Sequence, residues 1–321
     1  MAAGKERGLG RIQEKLNASI SEGSYYEAHQ LYKTLYFRLL GQNKFVELID
    51  LLENGARLLL EKQQMESGSD LAIILIDVLI KSKIEITEEW ISKVTKLFSL
   101  MNPSMPERET YVANATRWSM GTKTSGHPSF HSQIAKIYWE QKNTQSARQH
   151  FLRSNDGESF GTMLIEMHTS RGFKSEVDIF VAQAVLHTLT LRRKELAQDT
   201  FKQYIAKHPD IKQSGVPFAM PLLNFISFLL ECIELKNMEK FKEIVEKYQK
   251  HIVARDASYA DYLEKIGNIY FGIPIKPKQR GNGLMGNFLN SLMTNMDIGE
   301  SSSDEEYSNA RTHQTQPVDL E

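Results

Sequence analysis

The chain has 321 residues, 41% hydrophobic and 25% charged, enough apolar material for two ordinary domains or one elongated one. A formal net charge of −1, with no basic blocks interleaved with aromatics, argues against nucleic acid as a partner. A single cysteine, Cys232, excludes a disulfide framework and a cysteine-built zinc site; it fits a reducing compartment and reads as a small buried hydrophobe.

In chain order, "MAAGKERGLG" is polar and lacks the apolar core of a signal peptide, so residues 1–9 read as a flexible leader. From Gly10 to Ser21, Ile12, Leu16, Ala18 and Ile20 stand among charges. Gly23 interrupts, and Tyr25–Leu40 then carries Tyr25, Ala28, Tyr32, Leu35, Tyr36 and Leu39 on one stripe. After Gly41–Asn43, Phe45, Leu48, Leu52, Ala56 and Leu59 form another. These i, i+3, i+4, i+7 spacings predict amphipathic helices joined by short turns. Further helices are predicted at 70–82, 88–101, 107–118, 128–140, 144–153, 157–169, 174–191, 193–207, 219–235, 238–248 and 256–271. Turns such as "NPSMP", "RSNDG", "KHPD" and "QSGVP" part them. The most apolar stretch, Pro221–Leu235, is shorter than the ~20 residues a bilayer requires and contains Asn224 and Glu231. It reads as a helix buried among helices, and the expected location is the cytosol.

Within "GSYYEAHQLY", Gly23 ends one helix, Ala28 sits where two backbones approach, and Tyr32 follows one turn on. The pattern is similar to the G-x-Y-x-E-A-x-x-x-Y half of a tetratricopeptide repeat. "KNTQSARQHF" repeats the step with Ala147 and Phe151, and "NKFVELIDLL" echoes it. The intervals are far from a regular 34 residues, so the expected fold is all-α, an α-solenoid of degenerate helical hairpins over 10–272. After Gly272 the pattern changes. "FGIPIKPKQ" can extend or form a short β-hairpin, and 284–293 place Leu284, Met285, Phe288, Leu289, Leu292 and Met293 at helical spacing. An extended segment with an amphipathic helix is therefore expected over 273–296, and a disordered, acidic, serine-rich tail over 297–321.

No phosphate-binding loop, dinucleotide fingerprint, zinc-protease helix or nucleophile elbow is present, and no cofactor is expected. His127 and His131 have a helical ligand spacing but no third ligand nearby, so they read as structural or solvent-facing. Asp70 in "SGSDLA" reads as a residue in the first turn of a helix, favoured there by the helix dipole. Two features stand out. Lys5, Arg7, Arg11 and Lys15, followed by Lys33 and Arg38 on the next helix, make a cationic end suited to an acidic partner. The apolar stripe at 284–293 must either fold back on the body or meet another chain.

Several collinear blocks carry a resemblance: "EGSYYEAHQLYKTLYFR", "SLMNPSMPER", "TRWS", "GHPSFH", "SRGFKSEVDIFVAQAVL", "PLLNFISFLL" and "FGIPIKPKQRGNGLMGNFLNSLM". Together, from about residue 10 to 296, they resemble the Golgi-to-ER traffic protein 4 family, the 35-kDa subunit of the transmembrane-domain recognition complex. The resemblance implies a non-enzymatic adaptor that delivers tail-anchored membrane proteins to the ER without itself inserting in the membrane. It implies that N-terminal helices recruit the targeting ATPase, here through Arg11, Lys15, Lys33 and Arg38, with Asp70 as a lesser contact. It implies that the C-terminal part holds a ubiquitin-like protein and a BAG-domain chaperone, here through Phe271, Ile273, Leu284, Met285, Phe288, Leu289, Leu292 and Met293. Pattern alone leaves two other readings open: a helical-repeat subunit of another assembly, proteasome-lid-like or coat-like, and an all-α enzyme with an unrecognised site.

Overall fold

The amphipathic stripes become helices, and no strand forms among the described residues. The structure, a computed structural model, describes residues 2–121, 125–213 and 215–275. The elements are α1 (Ala2–Ser21), α2 (Tyr25–Leu40), α3 (Phe45–Glu61), α4 (Met65–Lys81), α5 (Glu88–Leu100), α6 (Pro106–Met120) and α7 (Pro128–Glu140). They continue as α8 (Thr144–Phe151), α9 (Gly157–Arg171), a 3-10 turn at Lys174–Glu176, α10 (Val177–Thr190), α11 (Lys194–Lys207), α12 (Pro221–Glu234), α13 (Met238–Arg255) and α14 (Tyr259–Phe271).

One turn joins many of these helices. Gly23, Asn43, Gln63, Lys83, Lys142, Arg192 and Lys236 all take positive φ just past a helix end. The amide after each bonds back to a carbonyl five residues earlier, as in Lys44 N to Leu39 O (3.1 Å), Gln64 N to Leu59 O (2.8 Å) and Asn143 N to Tyr138 O (2.9 Å). This bond satisfies a carbonyl that the helix end leaves free. Gly23, Asn43, Gln63 and Lys83 stand twenty residues apart, so near the N-terminus the repeating unit is a single helix with its turn, not a hairpin of 34. In that register Ala28, Leu48 and Gly68 are equivalent, and all are buried.

Alternate helices stack on one another, α3 on α5, α4 on α6, α5 on α7, α9 on α11 and α10 on α12, so the core runs as one seam between two layers. Small residues set the crossings. Ala28 and Ala147 are fully buried, as the repeat pattern predicts. Glycines bring backbones closer still, among them Gly157, which the sequence places in the turn "RSNDG". A Cβ on Gly157 would stand 2.5 Å from Cβ of Asp199, and one on Gly161 would stand 2.9 Å from the Thr200 carbonyl oxygen. Another on Gly55 would stand 2.6 Å from the Tyr32 ring.

The departures from expectation have local causes. α1 starts at Ala2, so it takes in residues expected to form a flexible leader. α4 starts at Met65, directly after the Gln63 turn, rather than at 70. α13 continues to Arg255 because Ile252 is buried and Arg255 reaches the Asp178 carboxylate and the Ser175 carbonyl. α14 ends at Phe271, where Gly272, with a left-handed φ of 67°, makes the stop. The compact unit these helices form ends at Pro274. Residues 272–275 form no strand, and the remainder of the expected hairpin lies outside the described residues. Cys232 is buried, as expected, and no described helix is long and apolar enough to cross a membrane.

Candidate partner interface

The cations of the N-terminal helices do not all behave alike. Arg11 and Lys15 are exposed on α1, one turn apart. Arg38 is exposed on α2, with its guanidinium 3.2 Å from where a Cβ on Gly8 would stand, so it lies along α1 and joins that face. Lys33 is half-buried and committed: its ammonium meets the Asp70 carboxylate at 3.0 Å. The same carboxylate oxygen lies 2.8 Å from Nε2 of His29, which is mostly buried.

The role assigned to Asp70 therefore changes. It stands in the second turn of α4, not the first, and its partners are two side chains of α2 rather than the helix dipole. The structure brings Lys33 and Asp70 together directly and adds His29 to the same carboxylate, which sequence reading passed over because a contact across 41 residues leaves no local trace. Both charges of the Lys33–Asp70 pair remain over a third exposed, so it contributes about 0–1 kcal/mol and serves better as a surface feature than as a brace.

Three exposed apolar residues of α2 and α3 went unnoticed in the sequence. Tyr26 is 77% exposed, Phe37 66% and Val46 75%; among the described residues Phe173, at 73%, is the other large hydrophobic so exposed. Tyr26, Lys33 and Phe37 fall within an arc of about 40° around α2 at 100° per residue. Phe37 also packs edge-on against Tyr36, ring centroids 5.0 Å apart. The signal was available: two aromatics off the core stripe of an otherwise well-patterned helix. Large exposed apolar side chains flanked by cations are what a docking surface offers.

At the other end, Phe271 stacks on Phe241 with centroids 4.6 Å apart, and the amide of Ile273 donates to the Gly267 carbonyl at 3.1 Å. Both are half-buried against α13 and α14, so most of their apolar surface is spent inside the body. Leu284, Met285, Phe288, Leu289, Leu292 and Met293 lie outside the described residues. Leu235 and Met238, at the α12–α13 turn, are exposed apolar residues the sequence reading did not single out.

The histidines of the middle helices are structural. His127 caps α7 from outside, which removes the helical ligand spacing, and His131 instead meets His150 of α8, Nδ1 to Nδ1 at 2.9 Å. Burial, with the His150, Arg153 and Arg193 neighbours, holds His131 down at about 2, and burial with Arg153 holds His150 at about 4. His168, His208 and Asp210 come close enough to suggest a metal site, but their hydrogen bonds argue otherwise. The Asp210 amide donates to His208 Nδ1 (3.1 Å), which puts the His208 proton on Nε2. That nitrogen can then donate to His168 Nδ1 (2.9 Å), and His168 Nε2 to the Phe173 carbonyl (2.9 Å). Each ring nitrogen thus has a partner, with no lone pair left for an ion.

A body of stacked helices with a mixed aromatic and cationic face at one end defines a helical-repeat protein that works through surface. Residues 42–296 match the family described as Golgi to ER traffic protein 4, and the chain belongs to that family. It is 44% identical to the Golgi to ER traffic protein 4 homolog of Homo sapiens over 292 residues, 90% of this chain and 89% of that one. It is 45% identical to the homolog of Takifugu rubripes over 287 residues, 89% of this chain and 88% of that one. The fold is similar to that of the crystal structure of C. therm. Get4, with a TM-score of 0.76 at 22% identity, covering 95% of this chain and all of the other.

Proposed function

We propose that the chain is a non-enzymatic cytosolic adaptor in the delivery of tail-anchored membrane proteins to the ER. It bridges a targeting ATPase, at the α1–α2 face, and a ubiquitin-like or BAG-domain chaperone partner at the C-terminal part. Membership in the Golgi to ER traffic protein 4 family supports this over a proteasome-lid-like or coat-like subunit. The observation that carries the location is the exposure of Tyr26 and Phe37 on α2, on the same two helices as the exposed cations Arg11, Lys15 and Arg38. The aromatics supply area to bury, and the cations speed encounter with an acidic surface in a salt-dependent way. The Lys33–Asp70 pair is positioned to exchange partners on docking, since both groups are accessible and weakly held.

The test is affinity purification of the full chain and of Arg11→Glu/Lys15→Glu, with identification of the co-purifying chains. The reading expects the ATPase to be lost from the variant, most clearly at low ionic strength, while the chaperone partner is kept. Equal recovery of the ATPase by both proteins would remove this face from the account.

A further inference from the structure

Between α6, α7 and the start of α8 lies a cavity of about 110 Å³, and one wall of it is the side chain of Arg108. Arg108 is only 4% exposed. Its guanidinium lies 4.0 Å from the ring centroid of Phe98 and 5.3 Å from that of Tyr138. One Nη2 proton goes to Oε1 of Gln141 at 2.6 Å, while Nε is buried with no partner. No ion pair to Arg108 exists among the described residues. Burying an arginine without an acid is costly, and two aromatic faces offset only part of that cost.

The opposite wall is the N-terminus of α8. Asn143 caps that helix, accepting from the Ser146 amide at 3.1 Å, and both residues line the cavity. A helix start carries partial positive charge, so a cation and a dipole converge on one space. Glu109, exposed, also lines it.

We propose that this cavity is a carboxylate-binding subsite that receives the acidic side chain of a bound peptide segment. The volume is well below the roughly 300 Å³ at which pockets begin to enclose a whole small molecule, and it suits one functional group. A guanidinium lying against two rings, with Gln141 as its hydrogen-bond acceptor, keeps N–H donors in a planar fork, the geometry that matches a carboxylate. The Glu109 charge at the same space disfavours a dianion and so selects against phosphate. This subsite is separate from the α1–α2 face and stands whether or not that face binds the ATPase.

The experiment follows the Arg108 side-chain Nε–H resonance in full-length protein carrying ¹⁵N-arginine, assigned by its loss in Arg108→Lys. Acetate and a capped Gly-Glu-Gly peptide are the probes, and inorganic phosphate is the competitor. Both carboxylates should shift the resonance saturably, and Glu109→Gln, a surface change that leaves the fold alone, should tighten each several-fold. A peptide that binds more tightly than acetate supports an acidic side chain as the occupant; tighter acetate overturns that source in favour of a free carboxylic acid. Phosphate binding above acetate overturns the ligand class. A resonance that moves in neither the native chain nor Glu109→Gln overturns the site, and the cavity then holds only water.

Discussion

The first four helices and the stretch from α7 to α11 are built on different principles. α1–α4 are joined by turns twenty residues apart, pack through Leu, Ile and Ala, and keep the Lys33–Asp70 pair between α2 and α4 at the surface. α7–α11 bury imidazoles in pairs and pass backbones within reach of each other at Gly157 and Gly161. In this part Arg193 donates to the Ser154 carbonyl at 3.0 Å, and Asp156 receives both Lys136 (2.6 Å) and the Ser132 hydroxyl (3.0 Å). The simple region leaves its apolar side chains outside, at Tyr26, Phe37 and Val46, where a partner can use them. The polar-cored region spends its specificity inside, so it should be the more sensitive to pH and to added volume.

The pH response should separate the two most. Burial leads the causes that hold His131 at about 2 and His150 and His187 at about 4. Each lies below the about 6.5 of an unfolded histidine. Below pH 6.5 the unfolded chain binds more protons than the folded one, so stability is full above that value and falls as pH drops toward 4. Between pH 6.5 and 5 the loss is up to about 2 kcal/mol for each of the three. Urea midpoints at pH 7 and pH 5 would measure it, and His150→Gln should flatten the slope. Burial lowers His208 too, and geometry opposes its protonation as well: a second proton on its ring would face the Asp210 amide.

Added volume comes next. Gly161→Leu should cost about 3 kcal/mol, at the top of the usual range for overpacking, because the clash is with Thr200 backbone. Even Gly161→Ala should destabilise, although alanine in a helix ordinarily gains about 1 kcal/mol over glycine. Ala28→Leu, in the simple region, should cost about 1–3 kcal/mol. Chemical denaturation of the three variants ranks them, and Gly161→Ala more stable than the native chain would contradict the close crossing. The smallest effect belongs to Asp70→Asn, which should change stability by less than about 1 kcal/mol because the pair it breaks is half in water.

Much of the fold was legible because amphipathic period dominates: helix after helix begins or ends within a few residues of where its apolar stripe does. The turns were harder. Gln63, Lys83, Lys142 and Arg192 carry no turn chemistry in their side chains, and their left-handed φ is imposed by the helix-end hydrogen bonds. That is why "MESGS", residues 65–69, read as a lead-in and Asp70 was placed a turn too early. Gly157, in "RSNDG", announced a break where it in fact makes a contact, since a glycine's reason for being small lies in the other helix. Of the N-terminal site, the charges were readable but not their pairing. The aromatics Tyr26 and Phe37 were readable as exceptions to the stripe, and His29 was not readable at all.

The proposal that matters most is that the α1–α2 face, with its aromatics and cations, is where the targeting ATPase docks. The direct measurement is calorimetric titration of the purified ATPase into the full chain and into Tyr26→Ala/Phe37→Ala, with thermal melts of both. The account predicts at least a tenfold weaker Kd for the variant, about 1.4 kcal/mol, with an unchanged melting temperature, because both side chains stand in solvent. An unchanged Kd with that same melting temperature would contradict it.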